Sequence, residues 1–163
     1  MQYAFCTMRN AITCHYWCYA MKIHGSSQPL FTLSDGMLYD ARKLPWSECC
    51  ANPVRAIYSQ LFQRIETTEH MRACLRHGAH CYGSGELMFY ASDGACLCFK
   101  CAREEYRNIS QSIRHGFNDG WRVIGLWDSG SSDEPEWCAH CNKFVSAYED
   151  ESEYLERIAE GDE

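Results

Sequence analysis

Apolar residues recur at spacings of three and four over residues 9–25, where Ala11, Cys14, Trp17, Cys18 and Met21 share one face. That period predicts an amphipathic helix, and Gly25 can end it. Pro29 to Leu33 alternates weakly and reads as a strand, Ser34-Asp35-Gly36 as a turn, and Met37 to Tyr39 as the return strand of a hairpin. Asn52-Pro53 is a good helix start, with Asn52 as N-cap and Pro53 at the first helical position. Val54, Ile57, Tyr58, Leu61 and Ile65 then form one apolar stripe, and the helix can continue through Met71 to Leu75, with or without a break near Thr67-Thr68.

A second hairpin is expected over Glu86–Cys98, turning at Ser92-Asp93-Gly94. Its sequence echoes the first: Phe31-Thr-Leu-Ser-Asp-Gly-Met37 resembles Phe89-Tyr-Ala-Ser-Asp-Gly-Ala95. Each copy precedes cysteines and a predicted helix, so a duplicated hairpin–helix unit is one reading and a common turn used twice is the other. A helix over 102–116 buries Tyr106, Ile109, Ile113 and Phe117, and Gly120 to Trp127 reads as a strand. Asp128 to Pro135 is a polar loop, and Asn142 to Tyr148 a short strand or turn. These elements predict a small α+β fold with short β-hairpins and two or three helices.

Composition adds one constraint of size and one of charge. A chain of 163 residues, 46% apolar and 13% aromatic, can make one domain or two small ones. Of its 22 acids, eight lie in residues 149–163 with a single base, Arg157, which leaves 14 acids against 14 bases in residues 1–148. The net charge of −7 therefore sits in an acidic C-terminal tail on a neutral body. Such a body attracts phosphate backbones weakly and the tail opposes them, so direct nucleic-acid binding is the less favoured partner class. The tail suits solubility, or else docking on a basic protein surface or mimicry of nucleic-acid charge.

The 12 cysteines and seven histidines change the picture most. Residues 1–20 have Arg9 within them and no secretory pattern, and the run Trp17–Met21 is too short to span a bilayer. A cytoplasmic protein with reduced or metal-bound thiols is expected, without membrane association. Cys98-Phe-Lys-Cys101 and Cys138-Ala-His-Cys141 supply four soft ligands, the number a closed tetrahedral Zn²⁺ site requires. A possible second site gathers Cys74, His77, His80 and Cys81. Cys14 and Cys18, one turn apart, suit core packing better than a shared metal. Arg103, Arg107 and Arg114 line one helical face with Ser110, which either binds a phosphate or carboxylate partner or is a solvated face paired with Glu104 and Glu105.

Cys81-Tyr-Gly-Ser84-Gly-Glu-Leu87 resembles a zinc knuckle, C-x-x-C-G-x-L, whose second cysteine is replaced by Ser84. With the hairpin and helix that follow, residues 81–116 resemble a treble-clef module. Serine is a poor zinc ligand, so either His77 or His80 replaces it, or Cys138 and Cys141 supply the other half. C-x-x-C pairs are the usual thiolate source, which favours the second alternative. The strings Cys-Phe-Lys-Cys-Ala-Arg-Glu-Glu-Tyr, Gly-Trp-Arg-Val-Ile-Gly and Cys-Ala-His-Cys-Asn-Lys further resemble small zinc-ribbon proteins encoded by bacterial viruses and mobile elements. The chain then divides into an N-terminal helix–hairpin–helix region (1–76), a zinc-ribbon or treble-clef-like module (77–148) and the acidic tail (149–163).

No catalytic residue stands out. Leu44-Pro-Trp-Ser-Glu-Cys49-Cys50 is similar to a segment of zinc-dependent nucleic-acid deaminases, but it lacks their Pro-Cys-x-x-Cys pair and His-x-Glu. Phosphate-binding glycine loops and His-Glu-x-x-His are absent from the sequence. The first expectation is a non-enzymatic zinc-binding interaction protein. The resemblance implies a phage or mobile-element accessory factor that inhibits or regulates a host nucleic-acid-processing or defence complex. A zinc-ribbon nucleic-acid-binding regulator is the second reading, and a metal- or cysteine-dependent enzyme the third.

Overall fold

The apolar run Leu87–Ala91 (β3) becomes the middle of a three-stranded antiparallel sheet, between Cys96–Cys98 (β4) and Val123–Asp128 (β5). The computed structural model that shows this describes residues 30–40, 42, 49, 51–80 and 85–161. The expected helix over 9–25, with Cys14 and Cys18, lies outside the described residues, as does Cys81–Ser84 of the knuckle-like stretch. The chain forms two compact units that divide between Tyr58 and Ser59. Its class is α+β, with four α-helices and small antiparallel sheets among the described residues.

In the first unit, Leu30–Thr32 (β1) pairs antiparallel with Leu38–Asp40 (β2), as the hairpin reading expects. Phe31 stacks on Tyr39 at 5.6 Å, and both pack with buried Cys49 in a small cluster. The turn closes by two bonds: Gly36 N–H donates to Leu33 C=O, and Met37 N–H to Asp35 Oδ1. The second hairpin repeats the pattern, with Gly94 N–H on Ala91 C=O and Ala95 N–H on Asp93 Oδ1. Gly36 and Gly94 sit at φ 72° and 93°, where a side chain is strained, so glycine belongs at this position of both turns.

The likeness does not extend to the helix expected from Pro53. No helix runs over residues 53–65, contrary to the N-cap and stripe reading. Tertiary pairing takes the backbone groups that helical bonds would need. Val54 and Arg55 pair with Leu38 of β2, and Ile65 N–H donates to Ile124 C=O on β5. The segment therefore runs along strand edges, covering backbone groups that would otherwise be exposed. Gly125 permits the close approach, since a Cβ there would come within 2.6 Å of Gln63 C=O.

Helix α1 starts only at Thr68 and runs to His77. Thr67 caps it, its hydroxyl accepting from His70 N–H at 3.1 Å. Met71, Ala73 and Cys74 are its buried face. The helix expected over 102–116 begins earlier, at Phe99, and is divided at Glu105 into α2 (Phe99–Glu104) and α3 (Tyr106–His115). Phe89 of β3 meets Phe99 of α2 with ring centroids 4.3 Å apart. Met71, Met88, Phe89, Ile109 and Val123, from both helices and sheet, are fully buried in one core.

The C-terminal acids are not all tail. Residues Glu151–Glu160 form helix α4, opened by a capping box in which Asp150 accepts from Glu153 N–H and Glu153 returns to Asp150 N–H. Tyr154 docks it edge-on against Trp137 at 5.5 Å, and Arg157 pairs with Glu149 at 3.0 Å. Trp137 belongs to β6 (Glu136–Trp137), which pairs with β7 (Phe144–Val145).

Phe89→Ala should destabilise the second unit by about 3–5 kcal/mol, the usual cost of emptying a buried aromatic site. Urea unfolding of the purified chain measures it, and a loss below about 1 kcal/mol would mean the ring is not at the centre of the core.

Candidate metal centre

Two segments far apart in sequence build the centre. Cys98 is both the last residue of β4 and the N-cap of α2, so the strand-to-helix turn holds its sulfur in place. Its Sγ accepts from Cys101 N–H at 3.5 Å, and Cys101 projects from the first helical turn beside it. Cys138 and Cys141 lie in the tight loop between β6 and β7. That loop is closed by Cys138 N–H on Lys143 C=O at 2.9 Å and Asn142 N–H on Cys138 C=O at 2.8 Å. Asn142 adopts φ 55°, a left-handed conformation that asparagine tolerates better than most residues.

The loop is bound to the sheet by backbone. Ala139 N–H donates to Cys96 C=O at 2.9 Å, and Cys138 bridges Cys96 in parallel. Cys98 N–H then reaches Cys138 Sγ at 3.3 Å. The result gathers four free thiols, Cys98, Cys101, Cys138 and Cys141, with their sulfurs all within 4.8 Å of one another. Cys98 and Cys141 sulfurs stand 3.8 Å apart, which matches the edge of a tetrahedron with metal–sulfur bonds of about 2.3 Å. Three of the four residues are buried, and Cys141 faces solvent.

Electrostatics divide the four. Burial pushes the Cys98 and Cys101 thiols up, and for Cys101 the neighbouring cysteines add to the rise. Burial also acts upward on Cys138, but the backbone N–H groups of Cys98, Cys141 and His140 converge on its sulfur and outweigh it. Its thiol is thereby held down at about 7. An amide cradle of this kind suits a sulfur that carries negative charge, as a metal-bound thiolate does. The donor set is uniformly soft, contains no carboxylate or imidazole, and can hold a metal ion.

Cys96 is outside the group although it lies two residues from Cys98. It is buried, and burial followed by the charges of Glu136 and Cys138 pushes its thiol up to about 12. Cys74 is buried on α1, where its sulfur accepts from Phe62 N–H at 3.4 Å, while His77 and His80 are exposed. These three form no ligand group, and Cys81 lies outside the described residues. Cys49, from the deaminase-like segment, donates its thiol hydrogen to Asp40 C=O at 3.3 Å in the first unit's cluster. Of the arginine face, Arg103 caps the end of α1 through Leu75 C=O at 3.2 Å, while Arg107 and Arg114 are exposed.

The residue types alone could not disclose the amide cradle at Cys138, because backbone N–H groups leave no mark in a sequence. Asn142 directly after the second C-x-x-C was the one signal of the tight loop. Among the described residues, no helix is long and apolar enough to cross a membrane.

Cys101→Ser and Cys138→Ala should each lower the metal-to-protein ratio, whereas Cys96→Ala should leave it unchanged. Metal analysis of the purified variants tests both directions. Acidification should also release the metal, because protons compete for the thiolates and the raised Cys98 and Cys101 thiols hold protons tightly. A chromogenic chelator follows this release, and metal retention that is indifferent to falling pH would contradict thiolate ligation. No family model, curated protein or solved structure matches the chain.

Proposed function

We propose that this protein is a non-enzymatic interaction protein whose second unit is stapled by Zn²⁺ at Cys98, Cys101, Cys138 and Cys141. The four-thiol group carries this reading. Four protein sulfurs complete a tetrahedral shell, so the metal has no position left for water or substrate, and a Cys₄ set is one of the usual forms of structural zinc. Zinc supplies no redox chemistry there; it joins the strand–helix turn to the β6–β7 loop. Its binding energy becomes folding energy, because an unfolded chain has no preformed site.

Function then belongs to the surfaces the staple supports. Helix α4 has no buried residue, and Leu155 and Ile158 remain about half exposed at 50% and 48% beside its acids. An apolar stripe rimmed by carboxylates suits docking into a basic-rimmed groove on a protein partner. The partner class proposed is a host nucleic-acid-processing or defence complex, in a cytoplasmic setting.

Native protein should carry one zinc ion per chain, and chelation should unfold the second unit as followed by circular dichroism. A chain that folds fully in the presence of chelator, or that copurifies with iron instead, would overturn the zinc staple. For the interaction, Leu155→Glu with Ile158→Glu should abolish capture of the partner from host lysate while zinc content stays at one per chain. Unaltered capture by that variant would remove α4 from the docking surface.

A further inference from the structure

The exposed face of α3 holds an arrangement that neither the staple nor α4 accounts for. Arg107 and Arg114 are seven residues apart, two helical turns and about 10 Å along the axis, and so project from the same side. Ser110 lies between them. These three, with Tyr106, Gln111 and His115, line an open depression of about 380 Å³. No carboxylate lines it. Neither arginine side chain has an ion pair or hydrogen bond among the described residues, although Glu104 stands one turn before Arg107.

Ser110 supplies the independent sign of a ligand. It is only 5% exposed, and its hydroxyl has no hydrogen-bond partner among the described residues. A buried hydroxyl without a partner is costly and such groups are few in native proteins; among the described residues Ser129, away from this helix, is the other. Ser112, on the same helix, shows the normal outcome, since its hydroxyl donates to Asp119. Ser110 thus leaves an unmet donor just beneath a depression that Arg107 and Arg114 also line. Hydroxyl plus paired arginines is a donor set for a tetrahedral oxyanion, each guanidinium able to present two N–H groups.

We infer that Arg107, Ser110 and Arg114 form a binding site for a phosphate group. The volume falls near the lower end of ligand-sized pockets, roughly 300–1,000 Å³, which leaves room for more than a bare ion. A free phosphate and the phosphodiester of a nucleic-acid strand share the chemistry, and the experiment separates them. The site is independent of the zinc staple, since α3 contributes no metal ligand.

The full metal-loaded chain is titrated with inorganic phosphate, and separately with a short single-stranded oligonucleotide, while amide and arginine side-chain NMR signals are followed. Saturable shifts at Arg107, Ser110 and Arg114 are expected. Arg107→Gln with Arg114→Gln should weaken binding at least about tenfold, the scale of losing charge-assisted hydrogen bonds. The corresponding double lysine variant should fall between, since it keeps charge but loses the two-pronged contact. Because Ser110 is buried, its Ala variant is read only alongside an unchanged circular dichroism spectrum, and then should bind several-fold more weakly. Binding of both probes identifies the isolated phosphate group as the ligand. Binding of the oligonucleotide alone, steeply weakened by salt, identifies the strand. Absence of binding by both probes, or binding that the double Gln variant leaves unchanged, overturns the site.

Discussion

Four sulfurs held within 4.8 Å of one another tie the strand–helix turn of the second unit to its β6–β7 loop. Cys98 and Cys141 are separated in the chain by helices α2 and α3 and strands β5 and β6, so only the folded chain brings their sulfurs together. Packing this many thiols together has little reward in itself, since a thiol is a weak hydrogen-bond donor and a small hydrophobe. A soft cation converts the arrangement into a strong one, with bonds that replace loop-closure entropy in the open chain by a fixed tetrahedral junction. The backbone prepares for it. Ala139 on Cys96 and Cys98 on the Cys138 sulfur are bonds that align the loop against β4 before any ligand geometry is required.

The same junction sets where charge can be displayed. Behind it, β3 is buried along nearly its whole length, and α1 and α3 close the core around Met71, Phe89 and Ile109. Helix α4 carries acids and an apolar stripe, while α3 turns Arg107 and Arg114 outward with no acid between them. A chain whose residues 1–148 are neutral in sum can still offer a cationic patch, because net charge averages over surfaces that a ligand meets one at a time. Weak attraction to phosphate inferred from the neutral sum therefore does not extend to a local pair of exposed arginines.

Much of the secondary unit's plan was legible in the residues. The C-x-x-C spacing identified all four clustered cysteines, because two thiols placed two residues apart in a turn or at a helix start face the same point wherever the chain goes. Both Ser-Asp-Gly turns were legible for a similar reason: aspartate accepts the N–H two residues on, and glycine takes the positive φ. Such local chemistry needs no knowledge of the rest of the molecule.

What tertiary structure decided was everything in which local preference had a competitor. Residues 53–65 have a helix start and an apolar stripe, yet their backbone pairs with Leu38 and Ile124, because strand edges offered hydrogen bonds that helical turns could not add to. Cys74 and His77 share a helix but part between core and solvent, so ligand types in close sequence did not become ligands in space. The acidic run became a helix once a capping box and Trp137 were there to dock it. By itself the sequence determined the turns, the four metal-ligand candidates and the α+β class, each a consequence of chemistry within a few residues. Only the folded chain could decide which cysteine receives the amide cradle and which two serines, Ser110 and Ser129, are left without a partner, since both depend on atoms brought together from distant positions.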